Sequence, residues 1–267
     1  MNRFYIQFVL FLLSIFVYAN NKTLATEPAP GEDEASQSTD QNSTSEKRYE
    51  KDKPLVCINP IINAQAVELM DEAVKQFKYH ATYIDGYERW STNTDSCLRF
   101  YKKELEDNTL VEKIEYSIWD SVNFSDIVSD LWDSDNPTFF NAESVKRKVV
   151  RVYNPDLIMI QQRYKTWFGG REKYFYALAT KVEVTKYITF IVMTSVNVVD
   201  KYPSDKEYKN KIIEKANSFK TVIDNEEDIR KGKLKKTFVN IAGYYIQKYN
   251  QYVDVTFVAS IDGHACI

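Results

Sequence analysis

The chain has 267 residues and a formal net charge of −3, enough length for one domain plus flanking segments but without the basic footprint of a general nucleic-acid binder. Seven glycines and two histidines suit neither a dinucleotide loop nor a His-rich metal site. The sequence also lacks a Gly-x-Ser-x-Gly elbow, a P-loop and a Cys-x-x-Cys pair. These features argue against an enzyme, a resident cofactor or a metal, and no catalytic residue is assigned.

The first segment reads as an address. Asn2-Arg3 precedes an apolar run from Phe4 to Tyr18, broken by Gln7 and Ser14, and Val17-Tyr18-Ala19 precedes Asn20. That pattern predicts a secretory signal over residues 1–19, too short for a membrane span. Residues 20–54 are expected to be a disordered linker. From Glu27 to Pro54 there is no aliphatic residue beyond alanine and one aromatic, Tyr49, too little apolar surface to offset the entropy of ordering. The folded domain is then expected over residues 55–267. Asn21-Lys22-Thr23, Asn42-Ser43-Thr44 and Asn123-Phe124-Ser125 match the glycosylation pattern. Of three cysteines, Cys57 and Cys97 are able to pair in an oxidising compartment, and Cys266 stands near the end.

Within the domain, Ala66, Leu69, Met70, Ala73 and Phe77 recur at helical spacing, predicting a helix over 63–78 capped by Asn63. Strands are expected over 87–91, 97–103 and 110–119, with a turn at Asp85-Gly86. A second helix is expected over 121–132. There Phe124, Ile127, Val128, Leu131 and Trp132 form one face, Asn123 is the cap and Asp126 completes a capping box.

From Val145 to Asp200 the chain reads as four strands joined by short turns: 148–153, 157–167, 174–184 and 187–199. Asn154-Pro155-Asp156, Gly169-Gly170 and Thr185-Lys186 fall between the runs. Connections this short make the strands antiparallel. Leu157-Ile158-Met159-Ile160 and Tyr187–Met193 are apolar on both faces, so something must cover each face. Helices on one side with further sheet on the other would do so, and so would helices on one side with an apolar ligand on the other. A helix over 208–222, a charged loop over 225–231 and two last strands, 236–248 and 252–261, complete an α+β pattern.

Several strings resemble a known family. Phe4-Tyr5-Ile6-Gln7, Asn21–Gly31, Val152–Gln162, Tyr174–Lys181 and Ser260-Ile261-Asp262-Gly263-His264 look like the fam-a proteins of rodent malaria parasites (Plasmodium), which carry a START (StAR-related lipid transfer) domain. The resemblance runs over the whole chain outside the linker. It implies a helix-grip fold, in which a curved antiparallel sheet wraps a tunnel for one lipid. Some members transfer phosphatidylcholine. It implies a secreted lipid-binding or transfer protein, with a phospholipid and transient membrane contact as partners. Family members reach the parasitophorous vacuole or the host erythrocyte, so host-cell factors are candidate partners too. Two features depart from the family pattern. The sequence given stops at Ile267, where the long amphipathic terminal helix of a START domain is expected to begin. Lys22-Thr23-Leu24-Ala25-Thr26 also replaces the Arg-x-Leu-x-acid export pattern. A non-transporting scaffold at the parasite–host interface, or a decayed family copy, is the alternative.

The candidate lipid-binding residues are Arg151, Tyr153, Ile158, Ile160, Tyr174, Tyr176, Phe190 and Val192. Arg151 is the lone charge in Val149–Tyr153 and, in a regular strand, shares a face with Val149 and Tyr153. Inside an apolar tunnel it would hold a phosphate, and on a wet face it would pair with an acid. The aromatics are accounted for equally by core packing. Trp167 serves as a loop anchor or as a membrane-dipping residue. The basic runs Lys146-Arg147-Lys148 and Arg230–Lys236 read as solvated faces, or as attraction to anionic headgroups.

Overall fold

The computed structural model describes residues 55–90, 98–119, 123–135, 137, 144–165, 170–204 and 206–264. The expected signal and linker, Cys97 and its pairing, Trp167, Gly169 and Cys266 lie outside the described residues.

The first helix, α1, runs from Pro60 to Thr82 and starts earlier than its apolar spacing suggests. Asn59 is the cap: its Oδ1 accepts from the backbone N–H groups of Ile61 (2.9 Å) and Ile62 (3.3 Å). Pro60 follows at the first helical position, where a missing N–H costs nothing. Asn63, the expected cap, instead donates its side-chain amide to the Cys57 carbonyl at 3.0 Å.

Three strands follow: β1 (Glu88–Arg89), β2 (Leu98–Glu104) and β3 (Leu110–Trp119). Helix α2 (Phe124–Trp132) is capped by Asn123 as expected. Then come β4 (Ser144–Asn154), β5 (Leu157–Lys165), β6 (Lys173–Thr185) and β7 (Ile188–Thr194). The expected strand over 187–199 is therefore two. It breaks at Ser195, whose hydroxyl donates to the Tyr176 carbonyl at 2.6 Å, and β8 (Asn197–Val199) leaves the main sheet.

The expected helix over 208–222 does not form. Asn210 is buried and its Oδ1 accepts from the N–H groups of Ile212 (3.0 Å) and Ile213 (2.7 Å), a local pairing that competes with a helix. A 3-10 turn (Glu214–Asn217) and β9 (Lys220–Val222), parallel to β8, take its place. The charged stretch beyond holds one helical turn, α3 (Glu227–Arg230). Last come β10 (Lys235–Lys236), β11 (Phe238–Lys248) and β12 (Tyr252–Asp262).

The main sheet runs β1-β2-β3-β12-β11-β7-β6-β5-β4, with β10 parallel to β6 and all other neighbours antiparallel. It is curved and both faces are buried. One face packs on α1 through Leu69, Met70, Ala73 and Phe77, against Met159, Leu178, Phe190 and Val192. The other meets α2 through Ile127, Val128 and Leu131, against Ile158, Ile160, Ala179, Ile191 and Met193. The run Leu157–Ile160, apolar on both faces, thus divides between two cores. Among the described residues, no helix is long and apolar enough to cross a membrane.

Candidate functional site

The α2-facing side of the sheet is mostly apolar, and its β4 edge carries a charged and polar pair. Along the first half of β4, Val145, Arg147 and Val149 oppose Tyr164, Gln162 and Ile160 of β5 and point toward α2. Between Val149 and Arg151 the register shifts by a bulge. An extra residue in one strand reverses the alternation beyond it. Arg151 therefore opposes Met159 and lies on the α1 side, while Val152, opposite Ile158, returns to the α2 side.

Arg147 is thus the guanidinium that enters the α2 side. Its Nε and Nη2 donate to Gln162 Oε1 at 3.0 and 2.8 Å, and its Nη1 donates to the Asp133 carbonyl at 3.3 Å. Gln162 is fully buried, and its Nε2 has no hydrogen-bond partner among the described residues. A buried donor left unsatisfied costs about 1–3 kcal/mol, so this atom is poised to meet an acceptor. Beside the pair, Leu131, Trp132, Arg147, Ile158, Ile160, Ala179, Ile191 and Met193 line a cavity of about 10 Å³, room for roughly one water.

The eight expected site residues divide between the two faces. Ile158 and Ile160 line this cavity. The other six belong to the α1 side. Arg151 donates to Thr221 Oγ1 of β9 at 2.5 Å. Tyr153 meets Phe219 edge to face, and burial pushes its phenol up to about 12. Tyr174 donates to Asp200 Oδ2 at 2.9 Å, which also faces Lys236 Nζ at 2.9 Å. Tyr176 donates to Asn225 and accepts from Gln161 at 2.5 Å. Phe190 packs edge to face on Phe77 and stacks on Tyr245, with Val192 in the same cluster.

Arg147 was missed because the strand was expected to begin at Lys148, leaving Arg147 inside a basic run. Starting β4 earlier would have aligned Val145, Arg147 and Val149 on one face. The bulge has no glycine or proline to announce it. Among the described residues, no group of three His, Cys, Asp or Glu side chains is placed to hold a metal.

No family model matches the chain, and no curated protein sequence does. Solved structures do. Human StAR-related lipid transfer protein 5 is similar at 8% identity and a TM-score of 0.50, over 76% of this chain and 85% of that one. This chain has the START-like helix-grip fold. Human STARD10 (12% identity, TM-score 0.46, 72% of this chain and 67% of that one) is also similar. So is the lipid transfer and protein localization domain of human StarD13 (15%, 0.44, 74% and 84%). In the helix grip, α1 and α2 close on opposite sides of one sheet, and Arg147 with Gln162 forms a charged, partly buried pair on the α2 side.

Proposed function

We propose that this chain is a secreted, fam-a-like carrier of a phospholipid, with phosphatidylcholine the favoured cargo, held on the α2 side of the sheet. The observation that carries the reading is the Arg147–Gln162 pair, with an unpartnered Gln162 Nε2, at the edge of a mostly apolar face, within a fold shared with a human lipid transfer protein. A phosphate would take charge-assisted bonds from the guanidinium and a further one from Gln162 Nε2. Ile158, Ile160, Ile191 and Met193 would meet the acyl tails.

A cavity the size of one water does not hold a lipid, so cargo must displace something. Helix α2 is the weakest cover. Its nine residues are too few for a helix stable by itself, and it holds the sheet through Ile127, Val128 and Leu131. Uncovering three such side chains costs about 5–9 kcal/mol. Receiving the roughly thirty methylenes of a two-chain lipid recovers about 24 kcal/mol, at about 0.8 each. That gain, reckoned against tails in water, outweighs the opening cost for a lipid in transit. Exchange with a bilayer, whose tails are already buried, runs near balance, and no bond is made or broken in either.

The test is transfer. The full chain is incubated with vesicles of labelled phosphatidylcholine and unlabelled acceptor vesicles. Label moving to the acceptors intact is the expected result. Neither bound nor moved lipid would overturn the reading. The water-sized cavity would then favour the second one, a scaffold for contact with host molecules that carries nothing. Delivery to the vacuole around the parasite or to the host erythrocyte belongs to the same proposal, and tagged protein in infected cells would locate it.

A further inference from the structure

Two basic runs distant in sequence converge on the opposite side of the sheet. Lys146 and Lys148 of β4 oppose Arg163 and Gln161 of β5, on the face turned away from α2. Helix α3 and the residues after it lie across this edge, so that Lys231 and Lys233 face the strand lysines over a cleft of about 550 Å³. Five cationic side chains, Lys146, Lys148, Arg163, Lys231 and Lys233, border the cleft against the three carboxylates Glu226, Glu227 and Asp228, in a chain whose net charge is −3. Arg147, between the two strand lysines, turns its guanidinium to the other face.

Those carboxylates are already engaged. Asp228 takes a two-pronged contact from Arg163, at 2.7 and 3.1 Å. Glu226 meets Arg163 and Lys148, both at 3.3 Å, and accepts from Gln161 at 2.9 Å. Glu227 meets Lys231 at 2.6 Å. The bidentate Arg163–Asp228 fork fixes the geometry of the floor, and the facing carboxylate raises the arginine's pKa. Among the described residues, no carboxylate lies within ion-pair distance of Lys146 or Lys233, and both are exposed. The cleft therefore has a neutralised, ordered floor and a rim of surplus ammonium groups. That arrangement suits an anion carrying several oxygens.

We propose that this cleft binds a phosphate-bearing anion of headgroup size, at a site separate from the one assigned to lipid tails. The phosphate comes either from an anionic lipid in a membrane surface or from a free phosphorylated compound. The chemistry is shared, and the two sources are separable by experiment.

The full chain is mixed with phosphatidylcholine vesicles with and without phosphatidylinositol phosphate and assayed by flotation. Separately, pyrophosphate is titrated in and followed by phosphorus NMR line broadening. Preference for the phosphoinositide vesicles, weakening as salt rises, identifies a headgroup. Binding of pyrophosphate without vesicle preference identifies a free phosphate. Either must fall by about tenfold or more in Lys146→Glu/Lys233→Glu, because each surface lysine contributes severalfold. The same charge change at two distant exposed lysines, Lys186→Glu/Lys248→Glu, should leave binding within about twofold. Circular dichroism checks that both variants fold. The proposal is overturned if neither probe binds, if the cleft variant binds as well as the parent, or if the control loses as much. Movement of neutral phosphatidylcholine is unaffected by any of these outcomes, so this proposal and the carrier reading fail independently.

Discussion

Two arginines four positions apart in β4 separate a charge that faces α2 from one that does not. Arg147 lies beside the α2-side cavity and Arg151 beneath β9, because the bulge between Val149 and Arg151 inverts the strand. Arg147→Met should cut phosphatidylcholine transfer by about tenfold, the worth of one charged hydrogen bond. Arg151→Met should leave transfer within about twofold while lowering stability. Equal losses in the two variants would assign the effect to stability and remove Arg147 from the site. A second residue, together with the similarly buried His264, shapes the response to acid. His80 of α1 is buried, with Nδ1 2.8 Å from the Tyr87 hydroxyl and the Tyr79 ring at its edge. Burial first, then the cations Lys103 and Lys113 of β2 and β3, hold its pKa down to about 4 from 6.5. Between those values the unfolded chain takes up a proton that the folded chain refuses. Stability present above pH 6.5 is thus lost as pH falls toward 4, by about 3 kcal/mol from this group. His80→Gln should flatten that part of the curve in urea titrations compared at pH 7 and pH 4.5. An unchanged slope would count against the neutral, buried imidazole.

At the scale of strands and helices, the sheet contains one place where a side chain cannot fit. Gly243 of β11 stands opposite Val192 of β7, and a Cβ there would come 2.1 Å from the Ile191 carbonyl oxygen. Neither backbone can give way without opening the ladder. Gly243→Ala should therefore cost about 3 kcal/mol, read as a lower urea midpoint. The sequence carried most of this architecture in simple signals. Asn154-Pro155-Asp156 and Tyr249-Asn250-Gln251 separate strand pairs as expected, and the doubly apolar runs of β5 and β7 do lie between two covered faces. Illegible were features set by contacts remote in sequence. Tyr208, Ile212, Ala216 and Phe219 keep helical spacing. Yet Asn210 is drawn into Thr194 and the Asn240 carbonyl, at 2.8 and 3.0 Å, and the local pattern loses to that pairing. The bulge in β4 likewise depends on how β5 and β9 receive it. Ile158 and Ile160 lie across the sheet from Tyr174, Tyr176, Phe190 and Val192, because the β5–β6 register sets them opposite Ala179 and Ala177.

For the molecule as a whole, the two faces of the sheet differ in how firmly they are held. Helix α1 spans 23 residues and packs across β6, β7, β11 and β12, with Phe77, Leu69 and Met70 fully enclosed. Helix α2 spans nine and meets chiefly β7. Burial of its three apolar residues holds it with a fraction of the free energy released when acyl tails leave water. The proposed carrier would open on the α2 side and keep the α1 side as its frame. Hydrogen exchange should show the asymmetry. On loading with phosphatidylcholine, amides of residues 124–132 should exchange faster by about tenfold or more, while those of residues 66–81 and of β11 stay protected. The two groups report different openings, local for α2 and global for α1. Faster exchange of both together would mean that cargo unfolds the domain rather than lifting α2. Slower exchange of α2 on loading would mean that the lipid enters elsewhere and α2 is a wall, not a door.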